Sequence, residues 1–323
     1  MAKTKINTKI NRELKNKTVL ITGGAGSIGS ELAKKILEFP VDSLRIFDVD
    51  EHALFQLGKT IKDSRLRLLL GDTQNSDRVD MAGTGADIVI HLGAMTAVDL
   101  CETDQDSAFK INSQATEILA KESSKMNTFI VYVSTDYVFD GNTGMYEEND
   151  VTNPLGFYGK SKLLGEKSIQ NFSSDWCIAR TSTPFGLHPT KKSFPMWIIE
   201  NLQKQNQIDV LSDQFTSPTY VPNLSKMLIE ISERHLGGIF HVAGATKISR
   251  YEMARMISDK LNLDEKLLRD VSINELKWEA QRPKDSSLNI SKADSVLNEK
   301  PQEINESLTP FIDEIMTSNN TNF

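Results

Sequence analysis

Residues 18–38 read TVLITGGAGSIGSELAKKILE. The first five are a short β-branched and aliphatic run, which suits a strand buried on both faces. From residue 27 onward Ile28, Leu32, Ile36 and Leu37 recur on one side of a helix. Between strand and helix stand Gly23, Gly26 and Gly29, spaced GxxGxxG. A chain that turns this tightly, and must let a pyrophosphate approach its backbone, needs small residues there. The N–H groups of Ser27, Ile28 and Gly29 at the helix start then face the anion. A glycine triplet alone marks only a tight turn; its place after the first strand makes it a dinucleotide loop.

The alternation continues outward. Apolar runs at 44–48 (LRIFD), 66–70, 87–92 (DIVIHL) and 129–133 (FIVYV) are separated by helical periods from residue 51 and over 104–121. Strands apolar throughout and divided by helices predict an α/β fold: a Rossmann-type, doubly wound parallel sheet. Beyond residue 158 a helix to about residue 171, a strand at 176–180 and helices at 194–203, 222–233 and 251–261 follow, broken by Pro-containing loops. The expected division is a lead-in over 1–17, a dinucleotide-binding domain over 18–180, and a smaller substrate-binding lobe over 181–323 interleaved with the last sheet strands.

The bulk numbers bound the function. With 323 residues, a net charge of −7 and no basic bias, the chain is not expected to bind nucleic acid. Two distant cysteines and five scattered histidines provide no disulfide framework and no metal-ligand spacing. Residues 1–17 are rich in Lys and Arg but have no apolar core, and no run is long enough to span a bilayer. A cytoplasmic protein is expected.

Asp48 ends the second strand about twenty residues after the glycines. A carboxylate there accepts hydrogen bonds from both ribose hydroxyls of NAD and repels the 2′-phosphate of NADP, so NAD is favoured over NADP, with Arg45 the nearby cation that could still receive a phosphate. Asp72 ends the third strand, suited to the adenine amino group, and Leu92, Gly93 and Ala94 close the fourth, where small residues let the dinucleotide lie against the backbone. Turn chemistry explains Asp and Gly at such places equally well.

Tyr158 and Lys162 are four residues apart, hence on one helix face. An ammonium beside a phenol favours phenolate, and a tyrosine pKa lowered by ~2–3 units would exchange protons near neutrality. The fifth strand runs into Ser134-Thr135-Asp136. A hydroxyl there can donate to a carbonyl oxygen that becomes an alkoxide.

Taken together, TGGAGSIG (22–29), STDYVFDG (134–141), PLGFYGKSKLLGE (154–166), RTSTPFG (180–186), FTSPTYVPNL (215–224) and RPKDSSLNISK (282–292) resemble the extended short-chain dehydrogenases, and within them the dTDP-4-dehydrorhamnose reductases. The first fifty residues resemble instead the UDP-N-acetylglucosamine 4,6-dehydratase type of polysaccharide biosynthesis protein. The resemblance implies Thr135 as the hydroxyl, Tyr158 as general acid and Lys162 as its electrostatic partner. It places Asn112 and Val133 on the cofactor side, and Thr96, Val98, Asp136, Tyr137, Thr183, Phe215, Ser217 and Arg282 on the side of a nucleotide-diphosphate sugar. A homodimer is expected. Where those reductases read RTSW, this chain reads RTST, so Thr183 replaces an indole and the sugar pocket is expected to differ. The implied activity is NAD(P)H-dependent reduction of a nucleotide-linked 4-keto-6-deoxy sugar. Epimerisation or 4,6-dehydration on the same scaffold, and a non-catalytic dinucleotide-binding subunit, are the alternatives. Dehydration needs an Asp-Glu pair after the Thr, and Tyr137 stands in the Glu place.

Overall fold

The computed structural model describes residues 14–188 and 192–320. Most of the basic lead-in, residues 1–13, and Lys191 lie outside them.

The first half alternates as the sequence pattern predicts: β1 (Thr18–Thr22), α1 (Ser27–Ile36), β2 (Ser43–Asp48), α2 (Glu51–Thr60), β3 (Leu66–Leu70), α3 (Ser76–Gly83) and β4 (Ile88–His91). Next come α4 (Val98–Thr103), α5 (Gln105–Phe109), a π-helical turn (Lys110–Gln114), α6 (Ala115–Lys125), β5 (Phe129–Thr135), α7 (Phe157–Phe172) and β6 (Trp176–Thr181). The remainder contains β7 (Pro184–Phe185), α8 (Phe194–Gln203), β8 (Ile208–Leu211), β9 (Phe215–Thr216), β10 (Thr219–Tyr220), α9 (Val221–Glu233), β11 (Gly238–His241), β12 (Ile248–Ser249), α10 (Arg250–Leu261), β13 (Leu268–Val271), α11 (Ser291–Val296) and α12 (Ile304–Asn320).

Seven strands form one parallel sheet in the order β11-β6-β5-β4-β1-β2-β3. Alternate residues serve opposite layers. Val19 and Ile21 of β1, with Phe129, Val131 and Val133 of β5, pack with Leu32, Ile36, Leu224 and Leu228 of α1 and α9. Leu20, Ile130 and Tyr132 face the other way, onto Val79, Leu119 and Ile169 of α3, α6 and α7. Burial on both faces is why these strands are apolar without a polar alternate. The sheet winds one way from β1 through β2 to β3 and the other from β4 to β6. The chain therefore diverges between β1 and β4, and a crevice opens at their carboxyl ends. A separate apolar cluster, with Ile198, Leu202, Met253, Ile257, Leu308 and Phe311, holds α8, α10 and α12 together.

The single helical period over 104–121 resolves into three pieces. Asn112, in the π-helical turn, accepts from the Met95 N–H at 2.8 Å, and its amide donates to the Met95 carbonyl at 3.0 Å and Ser161 Oγ at 2.9 Å. A widened turn that re-aims a polar side chain is a recurrent use of this geometry. Across the sheet, Arg180 of β6 forms a two-pronged pair with Glu166 of α7 (3.0 and 2.7 Å), and Ser134 of β5 donates to the same carboxylate at 2.5 Å. These buried, charge-assisted bonds fix α7 against the strands that carry the site.

Candidate active site

A cleft of about 850 Å³ lies along the carboxyl edge of the sheet, beneath the second apolar body. Its floor is the glycine turn. Gly23 has φ +64°, and a Cβ there would stand 2.6 Å from the backbone nitrogen of Gly93. Only glycine permits both that dihedral and that approach. Helix α1 starts at Gly26 with no side-chain cap and no acidic residue in its first turn, which leaves its N-terminal N–H groups for an anion. A pyrophosphate fits this cradle by shape and by polarity.

Asp48 reaches the cleft from the end of β2. Its carboxylate accepts from the N–H of Ala25 at 3.0 Å and of Asp50 at 3.1 Å, so the group expected to read the ribose also braces the turn. Arg45 points elsewhere: its guanidinium donates to the carbonyls of Ala82 and Thr84, both at 2.8 Å. Asp72 lines the cleft but also holds its own loop, accepting from Gln74. Leu92, Gly93, Ala94, Thr96 and Val98 form the wall after β4. Beneath them, buried His91 bridges Thr22 Oγ1 (2.6 Å) and Thr116 Oγ1 (3.0 Å). Burial, with the Lys162 ammonium adding to it, pushes this imidazole down to about 3, so it is neutral at physiological pH.

Val133, Thr135, Asp136, Tyr137, Tyr158, Lys162 and Thr183 line the opposite end. Helix α7 brings Tyr158 and Lys162 there because it lies unusually close to the chain after β5. A Cβ at Gly159 would collide with the Tyr137 carbonyl. The first turn of α7 is anchored by Glu102, which accepts from the Phe157 N–H at 2.8 Å. Tyr137 meets the Tyr158 ring edge-on, centroids 5.8 Å apart. Thr135 Oγ1 donates to Asp136 at 3.1 Å and accepts from the Tyr137 N–H at 3.2 Å.

The electrostatics correct one expectation. Burial raises the Tyr158 phenol above its ordinary value, while the hydroxyl of Thr135 opposes the shift. Burial also depresses Lys162, to about 7, with Glu166 opposing. Its ammonium donates to the Val133 carbonyl at 2.9 Å and lies over the Tyr132 ring at 4.1 Å. Tyr158 is thus protonated at neutral pH, which suits an acid rather than a base. Asp136 is also raised by burial, and it accepts from Ser286 (2.6 Å), Ser182 (2.8 Å) and Thr135.

Four of the residues expected at the site lie off the cleft wall. Asn112 stands behind it and holds the Met95 backbone. Phe215 pairs through its backbone with Lys284 and Ser286, and Ser217 accepts from the Leu288 N–H, so both stitch the C-terminal segments together. Arg282 is closed onto Asp99 by two bonds of 3.0 and 2.7 Å and covered by Trp278, 3.7 Å from the ring centroid. An arginine that the sequence reading passed over, Arg250, lines the cleft instead. Its signal was faint: a single charge at the start of a helical period, in a chain with many such charges. Among the described residues there is no cluster of metal ligands, and no helix is long and apolar enough to cross a membrane.

A dinucleotide cradle, a carboxylate at the second strand end and a Tyr–Lys pair in one cleft define an NAD(P)-dependent oxidoreductase of the extended short-chain dehydrogenase type. The model of the RmlD substrate binding domain matches residues 17–317, and the chain belongs to that family. It is 30% identical over 298 residues to a dTDP-4-dehydrorhamnose reductase of Aggregatibacter actinomycetemcomitans, covering 88% of this chain and 95% of that protein. It is also 27% identical over 310 residues to the methionine adenosyltransferase 2 subunit beta of Bos taurus, covering 92% and 89%. Among solved structures, a dTDP-4-dehydrorhamnose reductase of Clostridium acetobutylicum superposes with a TM-score of 0.81 at 29% identity, over 93% of this chain and 99% of that one. The Bacillus anthracis enzyme of the same name, solved in complex with NADP, superposes at 0.79 and 28%, with 93% and 99% covered.

Proposed function

We propose that this chain reduces the C4 keto group of a nucleotide-linked 6-deoxy sugar, with Tyr158 as the proton donor. The observation that carries the reading is the convergence of a protonated Tyr158, Thr135 and Lys162 on the cleft that opens from the glycine turn. A reduced nicotinamide, when bound, supplies hydride to the carbonyl carbon. The chain's own part is to donate a proton from Tyr158 to the carbonyl oxygen. Thr135 turns its hydroxyl from Asp136 to the same oxygen, and Lys162, in its protonated form, favours loss of the phenol proton. Dehydration is disfavoured by Asp136, whose carboxyl is occupied by three hydroxyls, and by Tyr137 in place of a second acid.

NAD is the favoured cofactor. Asp48 would face a 2′-phosphate with its negative charge, and Arg45 is committed to two carbonyls on the far side. The Bacillus anthracis relative was solved with NADP, so the two cofactors are compared directly.

The test is product mass spectrometry with dTDP-, UDP- and GDP-4-keto-6-deoxy sugars, each with NADH and NADPH. A product two mass units heavier than one of these substrates is expected, with NADH the better donor. Tyr158→Phe should lose about 10²–10⁴-fold in turnover and still bind dinucleotide. Full activity in that variant removes the proposed acid. Tight dinucleotide binding without turnover, together with a stoichiometric protein partner, would replace the enzyme reading with a regulatory subunit.

A further inference from the structure

The cleft is unevenly charged. Asp48, Asp50 and Asp72 line its glycine-turn half. Among the described residues three cations line it, Lys162, Lys192 and Arg250, and two are spoken for. Lys162 is committed to the Val133 carbonyl at 2.9 Å and the Tyr132 ring, and Lys192 pairs with Glu200 at 2.5 Å. Arg250 has no carboxylate partner among the described residues. Its guanidinium finds only weak neutral contacts: Thr183 Oγ1 at 3.4 Å, Gln214 Oε1 at 3.5 Å and the Phe194 ring at 4.9 Å. Asp136 attracts it through space but makes no ion pair with it, and already accepts from three hydroxyls.

This placement is built. Arg250 is the first residue of α10, whose start is fixed by a reciprocal capping box between Ser249 and Glu252, and its own N–H donates to the Gln214 carbonyl at 3.2 Å. Thr183, which receives the guanidinium, has φ +41°, a left-handed conformation that a β-branched residue adopts only under constraint from its surroundings. A half-buried guanidinium held next to neutral groups is an unfinished ion pair. Its planar fork matches two oxygens of a phosphate or carboxylate.

We infer that Arg250, and not Arg282, receives the anionic group of the substrate in the cleft that Tyr137 and Tyr158 also line. The inference rests on the reductase reading for its setting and names the substrate class more closely: a sugar that carries an oxyanion, either its diphosphate linker or a carboxylate on the ring. Arg282 is already neutralised by Asp99 and serves to tie the loop after β13 to α4.

The test is calorimetry on protein loaded with dinucleotide, titrated with thymidine diphosphate, UDP-glucose or UDP-glucuronate. Arg250→Met should weaken binding of the anion it reads by roughly 10- to 100-fold, with Arg250→Lys intermediate and Arg282→Met within about threefold of the native protein. Dinucleotide affinity should be unchanged in all three, which also shows that each is folded. Loss for thymidine diphosphate assigns Arg250 to the linker. Loss confined to UDP-glucuronate, with UDP-glucose unaffected, assigns it to a ring carboxylate. Unchanged affinity for every anion in Arg250→Met, or native protein that binds none of them, overturns the inference. Should the native protein bind these anions through Arg250 yet reduce no keto sugar, the reductase reading falls and this one stands.

Discussion

Replacing Lys162 by methionine should stabilise the protein at neutral pH while nearly abolishing turnover. Lys162 is buried, and desolvation lowers its ammonium from 10.5 to about 7 against the pull of Glu166. The sign follows from proton counting. Between these two values the unfolded chain binds more protons than the folded one, so stability rises with pH across that window and levels off below it. Holding this group costs on the order of 4 kcal/mol at pH 7 and about 2 kcal/mol at pH 9. Methionine has a similar reach and no charge. It forfeits the 2.9 Å bond to the Val133 carbonyl and the contact over Tyr132, together worth about 2–3 kcal/mol. The variant should then be more stable by about 1–2 kcal/mol at pH 7, and that advantage should shrink by about 2 kcal/mol at pH 9. Urea unfolding of both proteins at both pH values measures this directly. A stability difference that does not change with pH refutes the argument that burial depresses Lys162. Turnover should fall by about 10²-fold or more, because the proton donor loses its cationic neighbour.

Other outcomes follow from the same geometry. Glu166→Gln leaves the buried Arg180 guanidinium without its charge partner and should cost about 3–5 kcal/mol in denaturant unfolding. Because Glu166 is the group that holds the Lys162 value up, any alkaline limb in the pH profile of turnover should also move to lower pH. A limb that stays in place would uncouple Lys162 from the rate. Gly23→Ala forces a side chain into a φ of +64° and onto Gly93. It should weaken dinucleotide binding strongly and lower stability by at least about 1–2 kcal/mol, as read by fluorescence titration and thermal melting.

Much of this protein is written locally. A parallel sheet buried on both faces demands strands without polar alternates, so β1, β4 and β5 are visible as apolar runs, and the glycines announce the turn between β1 and α1 by their own steric freedom. The Tyr158–Lys162 spacing is likewise a property of one helix. What the sequence could not decide was which charges meet. Arg282 stands in a motif and Arg250 does not, yet Asp99, more than 180 residues earlier, closes on the first, while among the described residues no carboxylate forms an ion pair with the second. The protonation of Tyr158 belongs to the same class. Spacing puts an ammonium near a phenol, but burial raises the phenol and lowers the ammonium to about 7, because desolvation is set by everything packed around a group and not by its neighbours in the chain. Periodicity and turn chemistry are local and therefore legible. Ion pairing and burial depend on distant segments, and only the folded chain decides them.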